Sequence, residues 1–157
     1  MVRTRQCRGT HPPFLFLVQS YQKENLRGKC LNKNIIFQAT IQENISKKEE
    51  TYIGLASTTF KERLGVHRQS FRNRNLNQTT LSRYLWALKD QNIHYSLKFS
   101  ILARAKPYSS KFKQCGLCNK ERFFIITQPL KSSLNRRNEL TSKCMHRDKF
   151  LLSNFTP

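Results

Sequence analysis

The sequence predicts an α+β domain: a small, mainly antiparallel three-stranded sheet flanked by helices, in the order strand, strand, helix, helix, strand, helix. Three observations carry this. Residues 35 to 41 and 95 to 101 alternate side chains with the period of a half-buried strand. Between them, Phe60, Leu64, His67 and Phe71, then Leu81, Tyr84, Leu85 and Leu88, recur with the period of an amphipathic helix. Thr59 and Glu62, at the start of the first helix, form a capping-box pattern in which hydroxyl and carboxylate each satisfy an orphan amide.

Taken in order, residues 1 to 33 show no period beyond the apolar run Phe14 to Val18 and are expected to form a basic, poorly ordered arm. The first strand places Ile35, Phe37, Ala39 and Ile41 on one face and Ile36, Gln38 and Thr40 on the other. A polar linker from Gln42 to Glu50 leads to a second strand at 51 to 55, so the two read as an antiparallel hairpin. That strand stops near Ser57 and the first helix starts at about Phe60, with Arg63 flanking its apolar stripe one turn before His67. After an asparagine-rich turn, a second helix runs from about Thr80 to Asp90, with Trp86 beside its core positions. Tyr95, Leu97, Phe99 and Ile101 give the third strand its buried face. A basic loop from Ala105 to Gln114 precedes Cys115-Gly-Leu-Cys118 and a third helix, which carries Glu121, Phe124 and Ile125 and is ended by Pro129. A basic segment follows to about Leu152, so the domain spans 34 to 152 and residues 153 to 157 are a tail.

Charge selects the partner class. With 29 Lys and Arg against 9 Asp and Glu, the chain carries a formal charge of +20, which concentrates polyanions around it. DNA is the expected partner and RNA fits the same charge, but charge alone says nothing about catalysis. The longest apolar run falls far short of the roughly 20 residues that cross a bilayer, so no membrane partner is expected. The five cysteines are odd in number and follow no convincing signal peptide, which favours a reducing compartment, the nucleus, and a metal over disulfides. The acid-free residues 1 to 23, with Arg3, Arg5, Arg8 and Lys23, also resemble a mitochondrial transit segment.

Cys115 and Cys118 pair with Cys144 and His146 as two zinc-type ligand pairs, with Cys30 as a competing ligand and Cys7 and His11 as weaker ones. Such a zinc pins the start of the third helix to the segment after Asn135. Buried thiols without a metal are the plainer alternative.

Tyr52-Ile53-Gly54, followed by a helix with Arg63 and His67, resembles the second signature of the GIY-YIG nucleases, and the predicted element order agrees with that family. The resemblance puts the first signature on Ile35-Ile36-Phe37, the helix arginine on Arg63, the metal-holding glutamate on Glu121 and an asparagine on Asn135. His67 lies one turn beyond the arginine, where relatives often carry a histidine. Cys115-Gly-Leu-Cys118, Leu134-Asn135-Arg136-Arg137-Asn138-Glu139-Leu140 and Cys144-Met-His146 are similar to GIY-YIG-like domains of animal mobile elements, including retroelement-associated endonucleases. This narrower likeness covers about residues 30 to 152. It implies a metal-dependent DNA endonuclease using Mg²⁺ or Mn²⁺, within a larger polyprotein containing a reverse transcriptase.

On that reading Glu121 holds Mg²⁺, Arg63 offers phosphate a planar fork of donors, and Tyr52 orients or deprotonates the attacking water. His67 can share the last role because a histidine pKa lies near neutrality. Each residue also has a plainer reading: Glu121 as a first-turn helix acid, Arg63 as a simple phosphate contact, His67 as a hydrogen-bonded core residue, Asn135 as a turn or cap. The first signature departs from the family at its end, where Phe37 replaces tyrosine and removes a hydroxyl. That departure supports the alternative of a catalytically impaired, basic, zinc-containing nucleic-acid-binding module; a ribosome-associated RNA-binding protein is a more distant third.

Overall fold

The computed structural model describes residues 18–22, 29–76, 78–109, 111 and 114–135. Its elements are β1 (Val18–Gln22), β2 (Ile35–Glu43), β3 (Glu49–Ala56), α1 (Phe60–Arg72), α2 (Thr80–Asp90), β4 (Tyr95–Arg104), β5 (Tyr108–Ser109), β6 (Gln114–Cys115) and α3 (Gly116–Thr127). The α+β class and its order from β2 to α3 are those expected from periodicity.

The hairpin and third strand form the antiparallel core of the sheet, with β2 between β3 and β4. A fourth strand was not expected: β1, inside the presumed arm, pairs parallel to β4 and gives the sheet order β1-β4-β2-β3. Five residues that owe their strand state to pairing with β4, far along the chain, leave little local signal. The basic loop likewise contains a short ladder, β5 with β6, which ends at Cys115.

Strand alternation sorts the core into two layers. Ile35, Phe37, Ala39 and Ile41 face α1 and α2, joining Phe60, Leu64, Leu81, Leu85 and Phe99. Ile36, Ile53 and Leu55 face α3, joining Leu117, Cys118 and Ile125. Adding one residue to a strand's register would exchange these two sets, so the buried pattern on both faces fixes the pairing. A bulge in β4 skips Leu102, so that Phe37 pairs with Ile101 while Ile36 pairs with Ala103.

The helix starts follow local chemistry. Thr59 accepts from the Glu62 amide at 3.2 Å while Glu62 accepts from the Thr59 amide at 3.1 Å, completing the expected box. At α2, Thr79 and Ser82 make the same reciprocal arrangement. Cys115 caps α3, its sulfur accepting from the Cys118 amide at 3.5 Å. Among the described residues no helix is long and apolar enough to cross a membrane.

Candidate active site

The first half of the site is an aromatic box built on β2, β3 and α1. Phe37 is fully buried, and its ring centroid lies 5.3 Å from Phe60, 5.8 Å from His67, 6.1 Å from Phe99 and 6.5 Å from Tyr52. Phe37 pairs across the hairpin with Gly54. A β-carbon on Gly54 would stand 2.6 Å from Phe37 Cζ and 2.9 Å from Tyr52 Cε1. Only glycine lets both rings close over this strand, which gives the Tyr-Ile-Gly glycine a packing role whatever the chemistry.

His67 extends the box. Its ring stacks on Phe71 at 5.9 Å and meets Tyr52 edge-on at 6.3 Å. Both ring nitrogens are buried without a hydrogen-bond partner, and so is Nε of Arg63, one turn earlier. Burial, with the Arg63 charge adding to it, pushes the His67 pKa down to about 3. The premise of a histidine titrating near neutrality is therefore corrected: His67 is a neutral imidazole near pH 7 and a weak base. Its orphaned nitrogens remain able to donate one hydrogen bond and accept one.

The second half lies across β3. Glu121 is buried on the α3 face that carries Leu117, Cys118 and Ile125. It sits in the second turn of α3, so the first-turn dipole explanation does not apply to it. Along β3, Tyr52 packs against the layer of Phe37 and Ile53 against the layer of α3. The strand thus carries the tyrosine towards α1 and presents its other face to the helix of the glutamate.

Asn135 closes the exposed edge of β3 between Tyr52 and Gly54. Its side-chain oxygen accepts from the Ile53 amide at 2.8 Å and its amide donates to the Ile53 carbonyl at 2.8 Å, as a neighbouring strand would. Thr51 is held alongside: its amide donates to Ser133 Oγ at 2.8 Å and its carbonyl accepts from the Leu134 amide at 2.9 Å. Ser132 Oγ then ties this segment to the Ile125 carbonyl of α3 at 3.0 Å. Asn135 ends a turn, its backbone amide donating to the Ser132 carbonyl at 2.9 Å, so the turn reading holds, while its side chain acts as a positioning group on β3. Sequence spacing gave no means of seeing this, because an asparagine that imitates a strand looks like any loop asparagine.

The expected zinc ligands fall only partly among the described residues. Cys115 and Cys118 are both buried at the start of α3. Cys144 and His146, with Cys7 and His11, lie outside the described residues. Cys30 is disulfide-bonded; a disulfide sulfur has no thiolate charge to offer, so its reading as a competing zinc ligand does not hold in this structure. Among the described residues no group of three or more His, Cys, Asp and Glu side chains could hold a metal. Glu121 alone suits Mg²⁺, which keeps waters and takes substrate oxygens around one carboxylate.

Compared with known proteins, the chain matches no family model, no curated protein and no solved structure.

Proposed function

We propose that the chain is a metal-dependent DNA endonuclease domain of GIY-YIG type that nicks phosphodiester bonds, from a mobile element. One observation carries the reading: three buried nitrogens without partners, Arg63 Nε and both of His67, stand on one helix beside Tyr52 and the strand clamped by Asn135. Orphaned polar atoms of this kind are rare in a finished core and call for a ligand, a water or a catalytic use. The +20 charge brings the polyanion to them.

In this mechanism Arg63 binds a nonbridging phosphate oxygen and stabilises the charge that grows there in the transition state. Tyr52 orients the attacking water. His67, neutral and fixed by its aromatic neighbours, donates or accepts a single hydrogen bond at the same place and carries no charge of its own. Glu121 would hold Mg²⁺ or Mn²⁺, which would supply positive charge to neutralise the leaving oxygen. A structural zinc on Cys115, Cys118, Cys144 and His146 belongs to the same proposal, and nuclear localisation follows from the substrate.

A second reading is favoured by Phe37. Its ring is fully buried with Cζ against Gly54, so no hydroxyl stands where the family places one. A basic module that binds nucleic acid without cleaving it follows if that hydroxyl is indispensable. Nicking of supercoiled plasmid with Mg²⁺ or Mn²⁺ separates the two. The endonuclease reading predicts nicking that Glu121→Ala lowers by about 10²-fold or more; a wild-type chain that binds the plasmid and never nicks it leaves only the binding module.

A further inference from the structure

Away from β3, the corner between the end of α1 and α2 holds an open cavity of about 210 Å³, lined among others by Arg74, Gln78, Arg83, Trp86 and Asp90. Trp86, placed beside the core by its spacing, is half-buried at this surface. Its indole N–H donates to the Ser70 carbonyl at 2.9 Å, which fixes the ring. Two cations lie over that ring: Lys89 Nζ at 4.1 Å from the centroid and the Arg74 guanidinium carbon at 5.0 Å. Arg74 is held there by Asp90, with contacts of 2.5 and 2.6 Å, and Asp90 is the one acid among the described residues that line the cavity. Arg83 is exposed on the rim, and Arg72 is exposed at the end of α1.

We infer that this corner is an auxiliary site for single-stranded nucleic acid, separate from the cleavage centre. An unstacked base enters the cavity against Trp86 and the Arg74 guanidinium, while the adjoining phosphate takes Arg83 and competes with Asp90 for Arg74. Bases stack on aromatic rings and guanidinium planes regardless of sequence. A cavity of this size admits one base and excludes a duplex. Arginine forks match phosphate as well as they match the carboxylate now in place. A charged rim around one recessed indole suits a polyanion better than an apolar protein surface. The inference rests on the reading of the chain as a nucleic-acid binder and adds a place for strand that is not being cut.

Trp86 is the chain's one tryptophan, so its emission reports on this corner alone. The full chain is titrated with an oligothymidylate of about eight nucleotides, with no Mg²⁺ or Mn²⁺ added, which prevents cleavage and leaves a structural zinc in place. Anisotropy of the labelled strand gives affinity and Trp86 emission gives the site. The site predicts quenching that saturates with binding, a loss of about 10-fold for Arg83→Glu and tighter binding for Asp90→Asn. Lys131→Glu, the same charge change on the exposed turn after α3, serves as control and should cost under about 3-fold. Binding without quenching, equal losses for the two reversals, or equal quenching by a duplex of the same length would each overturn the site. Absence of any binding would overturn the nucleic-acid reading itself, which keeps the two failures apart.

Discussion

The two faces of β3 are finished differently. Towards α1, the strand meets close aromatic rings, and Nε of Arg63 and both ring nitrogens of His67 are buried there without partners. Towards α3 and along its edge, it meets aliphatic side chains and thiols, Ser133 and Asn135 serve its backbone with side-chain hydrogen bonds, and Ser132 ties their segment to α3. One side is tightly packed and polar-deficient; the other is supported by hydrogen bonds between segments distant in sequence. A strand held in this way cannot drift to relieve the unpartnered nitrogens, so the second side maintains the cost that the first side carries.

The largest effect should come from disturbing the aromatic side at Gly54. Gly54→Ala drives a methyl into Phe37 and Tyr52, and a loss of about 3 kcal/mol in denaturant unfolding is expected. Phe37→Leu in the same chain should restore part of it by shortening the ring that is struck. A neutral Gly54→Ala would mean that the rings yield easily and that the contrast between the faces is overstated.

A pH test comes next in size. The His67 pKa, about 3 in the folded chain, lies below its ordinary 6.5, so the unfolded chain takes up the proton first as pH falls. Its stabilising contribution is complete above about 6.5 and is lost progressively towards pH 3. Between pH 7 and pH 5 that amounts to about 2 kcal/mol, and in this window the carboxylates with lowered pKa, such as Glu43 held by Ser46 and Tyr84, remain ionised. His67→Phe should flatten the slope; an unchanged slope would mean that His67 finds a partner in solution.

The smallest effect belongs to the hydrogen-bonded edge. Asn135→Ala removes two bonds from Ile53, and because water can reach part of this edge the loss should be about 1 kcal/mol. Faster amide exchange at Ile53 should accompany it. Protection unchanged there would remove Asn135 from the account.

The legibility of the chain follows the same contrast. Alternation in β2 and β4, the stripe of Phe60, Leu64 and His67 and the box at Thr59 are local patterns, and each appears in the structure where the sequence put it. What stayed hidden depends on partners far along the chain: β1 on the outer side of β4, the strand-like bonds of Asn135, and the placement of Trp86 among cations at the surface. The residues of the candidate site could be nominated one by one from spacing, but their burial could not, and burial is what removes His67 as a titrating base. Phe37 shows the same limit, since its identity is plain in the sequence while its enclosure by Gly54, His67 and Phe99 is not.

The proposed mechanism requires that Arg63, one turn from His67 on α1, acts on the phosphate during cleavage and is more than one basic residue among many. Nicking rate and DNA affinity measured on the same preparations of wild type and Arg63→Ala test it most directly. The account predicts an affinity within a few-fold of wild type, as for loss of one phosphate contact, and nicking slowed by about 10²-fold or more. Nicking that falls only in proportion to binding, or a wild type that binds without nicking, would contradict it.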